Sequence, residues 1–524
     1  MKNARYLHGQ GRQKAGRSAP GMARLGVLLG VVAAAGCAVG PHLSTPAVPA
    51  PKTYNAHPIN LHSAQQRVQW TTQEAQAWWS LFRSTPLNDY IRQAMQANPD
   101  VQAAQAALAR EQSLIAVAQG GLLPSVGAGA GISRGRAQRT GANGGASYRI
   151  PGNLYSLLLG TVDVHYSPDV FGRQADLVHA AKAQAAVSRA SLHQSEVFLA
   201  AAVSRAVISG AAAQAQLNAA QQIAAADAHL LHLLQQEYQL GYQNLQSVDQ
   251  QEAITAAAQA RIAPLQADVA AARHGLAALL GQSPDADLSM PTLASLQLPA
   301  SLPTTLPSAL AEQRPDIQAA MAELKVAAAQ ADMATADLYP QFNITADIGK
   351  AAMTGGMFFN PISTLWSLGA GIAAPIYNGG ALHAQRRAAL DQYKVVSDRY
   401  RGTVLNAFRE VADALRALQG ADAAYQHHLA AQKAAGAALH LAEARYRDGA
   451  TDYATVLDAE IAYQQDTVAA ITARSQRYLD SVALFVALGD GWRPDATDAT
   501  DATDATATDA KTHSIVQNTQ GAPA

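Results

Sequence analysis

The chain has 524 residues, a formal net charge of −1 and 15% charged residues; 49% of its residues are hydrophobic but only 6% aromatic. So even a balance gives nucleic acid no electrostatic foothold, which excludes nucleic-acid binding as a function. Alanine carries much of the apolar count, which suits closely packed helices better than a large globular core.

The chain opens on Arg5, Arg12, Lys14, Arg17 and Arg24, followed by an apolar stretch from Leu25 to Ala35. At about 11 residues it falls short of the roughly 20 that a membrane-spanning helix needs, and it fits a signal-peptide core. It runs into Ala34-Ala35-Gly36-Cys37. Cys37 is the single cysteine, so disulfides and Cys-based metal sites are excluded. The junction resembles a bacterial lipobox, with Ala34 where leucine is usual. That likeness implies a signal peptide over 1–36 and a diacylglycerol and N-acyl lipid on Cys37. Ala38 and Val39 in place of aspartate favour sorting to the outer membrane. Residues 37–85 follow as a lipid-anchored extended segment. No later segment reads as a helical span, so any membrane crossing falls to strands.

From there the chain is written twice, over 86–283 and 308–492, with a linker at 284–307. Asn98-Pro-Asp-Val-Gln-Ala-Ala matches Arg314-Pro-Asp-Ile-Gln-Ala-Ala, an offset of 216 that Pro124 and Pro340 repeat. Tyr238-Gln-Leu-Gly241 matches Tyr446-Arg-Asp-Gly449 at an offset of 208, as does Ala278-Leu-Leu-Gly281 against Val486-Ala-Leu-Gly489. One loop is therefore shorter in the second copy, between Pro124 and Tyr238. Each copy opens with an Ala/Gln-rich helix, expected over Leu87 to Gln119 and Ala309 to Leu338. A hairpin of two strand-like runs comes next, at about 122–170 and 340–376. No proline separates Pro168 from Pro264 or Pro375 from Pro494, which permits unbroken helices. The run from Gly172 to Gly241 is long enough for a helix of about 65 residues, roughly 100 Å. Pro264 has no proline counterpart, Thr472 standing there, so a kink is expected in the first copy alone. The tail 493–524 repeats Asp-Ala-Thr and is expected to be disordered.

The strand runs alternate. Phe342, Ile344, Ala346 and Ile348 face opposite Gln341, Asn343, Thr345 and Asp347; Val162, Val164 and Tyr166 face opposite Thr161, Asp163 and His165. Four such runs in an exported chain fit transmembrane β strands, with outward loops at 135–153 and 351–361. Four strands cannot close a barrel, and eight fill their own interior. The count favours at least a trimer.

Cys37-Ala-Val-Gly-Pro41, the doubled Pro-Asp-Val/Ile-Gln-Ala-Ala segment and Arg445-Tyr-Arg-Asp-Gly449 through Val456-Leu-Asp-Ala459 resemble TolC-type outer-membrane efflux proteins. The likeness runs from Cys37 to about Trp492 and is to the lipoprotein, NodT-type branch that serves resistance-nodulation-division pumps. It implies an α+β membrane protein: a trimer with a 12-stranded outer-membrane β-barrel, four strands per chain, continued by a periplasmic α-helical coiled-coil barrel. Function would be passive conduction of small molecules, handed over by a periplasmic adaptor and an inner-membrane pump. The tips at Tyr238, Gly241, Tyr446, Gly449 and Asp452 would face the adaptor. Asp458 matches the family's constricting aspartate. Ala454 stands where relatives often carry leucine, and Ile461 where they often carry arginine, so a hydrophobic plug and an Asp–Arg lock are both in doubt. No catalytic motif, metal site or cofactor beyond the lipid is expected. Two other readings remain open at this point: an exit duct for secreted protein, and a coiled-coil lipoprotein without a pore.

Overall fold

The computed structural model describes residues 40–489, apart from 42–45, 50, 52, 62–65, 71–76, 137–138, 144–145, 151–153, 305–306, 308–309 and 311–312. Cys37, the signal segment and the Asp-Ala-Thr tail lie outside the described residues. A strand β1 (Arg67–Trp70) and a 3₁₀ turn (Trp78–Phe82) precede the first copy. That copy contains α1 (Thr85–Ala97), α2 (Pro99–Gly120), β2 (Ser125–Arg136), β3 (Arg139–Asn143), β4 (Ala146–Ile150), β5 (Leu154–Tyr166), α3 (Arg173–Gln239), α4 (Leu245–Ala260) and α5 (Ile262–Leu279). After β6 (Ser301–Thr304), the second copy contains α6 (Pro315–Ala336), β7 (Gln341–Ala352), β8 (Thr364–Ala373), α7 (Ala381–Arg447) and α8 (Tyr453–Leu488).

The duplication extends to helix length, since α3 and α7 are both 67 residues long. Pro264 breaks the helix after Ala260, whereas α8 runs unbroken for 36 residues through Thr472. A proline has no N–H to donate and its ring crowds the preceding turn, so the break falls just upstream of it. One expectation needs correction. The first Ala/Gln-rich segment is two helices, because Asn98 leaves the helical conformation and caps α2, its Oδ1 accepting from the backbone of Asp100 (2.9 Å) and Val101 (3.3 Å). In the second copy a helix runs over Pro315–Ala336, and the expected start at Ala309 lies outside the described residues.

The chain forms two compact units. One comprises residues 116–180 and 328–391. Its sheet has the antiparallel order β2-β5-β7-β8, and β3 pairs with β4 in a separate hairpin. That hairpin lies in the stretch read as a loop and has no counterpart among the described residues of the second copy, which accounts for most of the change of offset.

The other unit comprises the described residues of 46–115, 181–327 and 392–489. Its core is set by the 3₁₀ turn, where Trp78 stacks on Phe485 (5.2 Å between centroids) and Phe82 approaches Tyr478. Leu87 and Ile91 of α1, Val207 and Ile208 of α3, Leu276 of α5, Val411 and Leu418 of α7 and Val482 of α8 are buried around them. β1 pairs in parallel with β6, tying the N-terminal segment to the linker. The repeats share a contact here: Asn98 Nδ2 donates to Leu279 O (3.0 Å), and Arg314 Nη1 donates to Ala487 O (2.7 Å). Each pair satisfies a carbonyl at a helix C-terminus that no longer has an intrahelical partner. One helix, α3, is long and apolar enough by composition to cross a membrane, but 61% of that window is buried within the fold. Its apolarity is used in packing.

Candidate channel wall and helical tip

In the sheet, register converts the alternation of single strands into two continuous faces. Ala128 pairs with Val162, Val162 with Ile348 and Ile348 with Trp366, one apolar row across all four strands. Trp366 and Ile132 on this face are 75% and 80% exposed, and Leu368 and Ile372 are exposed beside them. An exposed apolar band of this extent marks a surface made for lipid or a partner. Gly127 pairs with Asp163, Asp163 with Asp347 and Asp347 with Ser367 on the opposite, polar face. There His165 Nε2 lies 3.3 Å from Asp163 and the Ser367 hydroxyl donates to Asp347 (2.8 Å). Apolar outside and polar inside is the pattern of a strand with lipid on one side and water on the other. β2 and β8 are the two edges, each with one unpaired side within the chain.

In the helical unit, the residues expected at the tips fall in two matching turns. Gly241 and Gly449 have φ of +82° and +71°, a region open to glycine because it has no Cβ. The amide of Tyr242 reaches Glu237 O (2.9 Å) and that of Ala450 reaches Arg445 O (2.8 Å), so both helices end in the same six-to-one closure. Asn244 then caps α4, accepting from Ser247 N (2.9 Å), and Asp452 caps α8, accepting from Thr455 N (3.1 Å). Hydrogen bonds from Thr455 hold the Asp452 carboxyl below its usual range. In Gly449→Ala the left-handed turn costs about 1 kcal/mol. Amide exchange at the ends of α7 and α8 then quickens about fivefold, and Gly449→Asn recovers part of the loss.

Tyr238, Gly241, Gly449 and Asp452 are exposed, whereas Tyr446 is half-buried. Its hydroxyl donates to Glu237 (2.9 Å) and accepts from Gln243 (2.7 Å), so it binds the second tip to the first. Burial, then Glu237, push its pKa up to about 12, which keeps it a donor. Asp458 and Ala454 lie one turn apart on an exposed face of α8, and Ile461 continues that face.

On the other face of α8, Tyr453, Val456, Glu460 and Gln464 are buried. Val456 packs with Leu234, Val248 and Ala442. Glu460 belongs to a polar group with Asp227 of α3 and Gln251 and Thr255 of α4, which sequence reading missed. Its signal was present: an acid seven residues after Tyr453 and four after Val456 occupies the stripe that packs.

A polar-lined sheet with an exposed apolar face, joined in sequence to helices of 67 residues, defines the class of an outer-membrane channel subunit. The sequence model of the outer membrane efflux protein family matches residues 90–282 and again 306–490, and the chain belongs to that family. It is 30% identical over 430 residues to the pyoverdine export outer membrane protein OpmQ of Pseudomonas putida, covering 80% of this chain and 89% of that one. To the toluene efflux pump outer membrane protein TtgC of Pseudomonas putida it is 29% identical over 469 residues, covering 87% and 93%. Among solved structures, the outer-membrane channel OprN superposes with a TM-score of 0.78 at 28% identity, covering 87% of this chain and all of that one. The chain is an outer-membrane efflux channel protein. Neither the secretion duct nor the poreless lipoprotein finds support among these relatives.

Proposed function

We propose that three copies close a twelve-stranded barrel in the outer membrane and that their long helices form a tunnel through the periplasm. Small molecules pass through it passively, delivered by a periplasmic adaptor and an inner-membrane pump of the resistance-nodulation-division type. The observation that carries this reading is the open sheet, with one apolar face and unpaired edges at β2 and β8. In lipid each unpaired backbone group costs several kcal/mol, so the edges must be closed by other copies. Two copies give a barrel filled by its own side chains, and three are the fewest that leave a passage. Asp163 and Asp347 then line the lumen. The relatives are named for pyoverdine and toluene, which are chemically unlike, so cargo selection belongs to the pump. Cys37 carries the lipid, which adds about 0.8 kcal/mol of attachment per buried CH₂. No cofactor takes part.

Within this assembly the exposed face of α8 turns Asp458 towards its two copies at the tip, with the small Ala454 beside it. Mutual repulsion of three carboxylates and the absence of a leucine plug give a narrow but imperfectly sealed constriction. Single-trimer conductance in a planar bilayer tests this. The wild type passes small, mostly closed currents and Asp458→Ala passes larger ones. A conducting trimer indifferent to the substitution removes Asp458 from the gate, and a monomer without conductance removes the barrel.

A further inference from the structure

The polar group under Glu460 has a composition that packing alone does not explain. Asp227 is fully buried and Glu460 is 8% exposed. Gln251 Nε2 donates to Asp227 O (3.2 Å) and Oδ1 (3.4 Å), and Thr255 donates to Asp227 O (3.2 Å). The Tyr453 hydroxyl donates to Gln251 Oε1, which fixes the direction of that amide. Gln464 donates to Glu460 Oε1 (3.5 Å). One oxygen of each acid, Asp227 Oδ2 and Glu460 Oε2, is buried and receives no hydrogen bond from these donors. Among the described residues, the elements packed around the pair supply no neutralising cation to it. α3 contributes Asp227 itself, α4 the neutral Gln251 and Thr255, α7 the acid Glu443, and α8 Tyr453 and Gln464. Burial and the neighbouring Asp227 carboxylate both disfavour ionisation of Glu460.

We propose that Asp227 and Glu460 hold one proton between them, and that its release unlatches α8 from the α3–α4 hairpin next to the tip. The proton closes an O–H···O bridge between the two acceptor oxygens; losing it leaves two facing negative charges. Burial first, then the charge of Asp227, push the Glu460 pKa from 4.5 up to about 7. Because the packed state holds the proton more tightly, its advantage is full below about 4.5, falls as pH rises and is gone above about 7. Each pKa unit is a tenfold change, so the latched-to-unlatched ratio drops by up to roughly 300-fold across that window. The latch rests on these residues alone; its effect on conductance rests on the channel reading of the tip.

The test uses the full mature protein in lipid nanodiscs, from well below to well above neutrality. Infrared spectroscopy reads the protonated carboxyl, and hydrogen exchange corrected for intrinsic rate reads protection of 245–258 and 453–464. In the wild type the carboxyl band and the protection decline together through neutrality. Glu460→Gln, which copies the protonated shape, lacks the titrating band and stays protected throughout; should it fail to fold, Asp227→Asn carries the same expectation. Wild-type pH dependence in either variant, or no protonated carboxyl at acid pH, overturns the latch. Protection restored at high pH by sodium alone also overturns it, in favour of a bound cation. Conductance is then compared on an Asp458→Asn background to remove the charge of the gate. A pH-dependent latch with pH-independent current would leave the latch standing and break its link to opening.

Discussion

Replacing Asp422 with alanine lowers the stability of the helical unit by about 3–5 kcal/mol, the penalty for leaving a buried charge without its partner. Asp422 on α7 is 0% exposed and Arg477 on α8 is 1% exposed, with 3.1 Å between them. Arg477 also donates to Gln66 (3.0 Å) and lies 5.8 Å from the ring centroid of Tyr425, so one guanidinium joins α7, α8 and the N-terminal segment. Burial pulls its pKa down and Asp422 opposes the pull. Without the carboxylate the guanidinium must drag water inwards or be expelled, and either disrupts the packing of Tyr478 and Phe485 in the next turns. The double replacement Asp422→Leu with Arg477→Met recovers most of the loss, because it removes the desolvation penalty together with the attraction. Chemical unfolding followed by circular dichroism measures both. A single-variant loss no larger than about 1 kcal/mol, the size of an exposed pair, would mean that water reaches the site.

Gly349→Val prevents assembly of the barrel. A Cβ on Gly349 would stand 2.2 Å from the carbonyl oxygen of Gly160 and 2.8 Å from Thr161 Cα, and both are backbone atoms that no rotamer change can move. The affected seam, β5 against β7, is the pairing that joins the strand hairpins of the two repeats. Parting it frees backbone groups that lipid cannot satisfy, at several kcal/mol each. The expected result is loss of heat-modifiable oligomer from outer-membrane fractions, with monomer left in the periplasm. Gly356→Ala is the control, since its Cβ meets nothing within 4 Å. Normal oligomer from Gly349→Val would mean that the seam is looser than this contact requires.

Repetition and alternation made the architecture readable from sequence. Two copies at fixed offsets, strands with a period of two and proline-free runs between glycines led to the sheet, the long helices and the two turns. The same signals missed the hairpin β3–β4, because Arg139 to Ile150 has no clean apolar alternation and nothing in its local pattern separates it from a loop. The cap at Asn98 was missed for another reason: the Ala/Gln pattern continues across it, and a polar cap competes locally with the helix. Tip residues followed from glycine and from the repeat. The Asp227–Glu460 pair did not, since its members are 233 positions apart in the chain. Glu460 falls on the packing stripe of α8, but nothing in the sequence names its partner, and only the packing of α3, α4 and α8 makes the two neighbours.

The equal lengths of α3 and α7 have an evolutionary consequence. Two struts of one frame must stay the same height, so an insertion or deletion in one would tilt the end of the subunit unless its twin changed with it. Random length change should therefore be purged from the helices and tolerated elsewhere. Six of the eight residues by which the offsets differ fall between β2 and β5, a connection of 17 residues against 11 between β7 and β8, in the stretch that carries the extra hairpin. Lineages of this family are expected to vary in their surface loops one copy at a time, and in their periplasmic reach in both copies together.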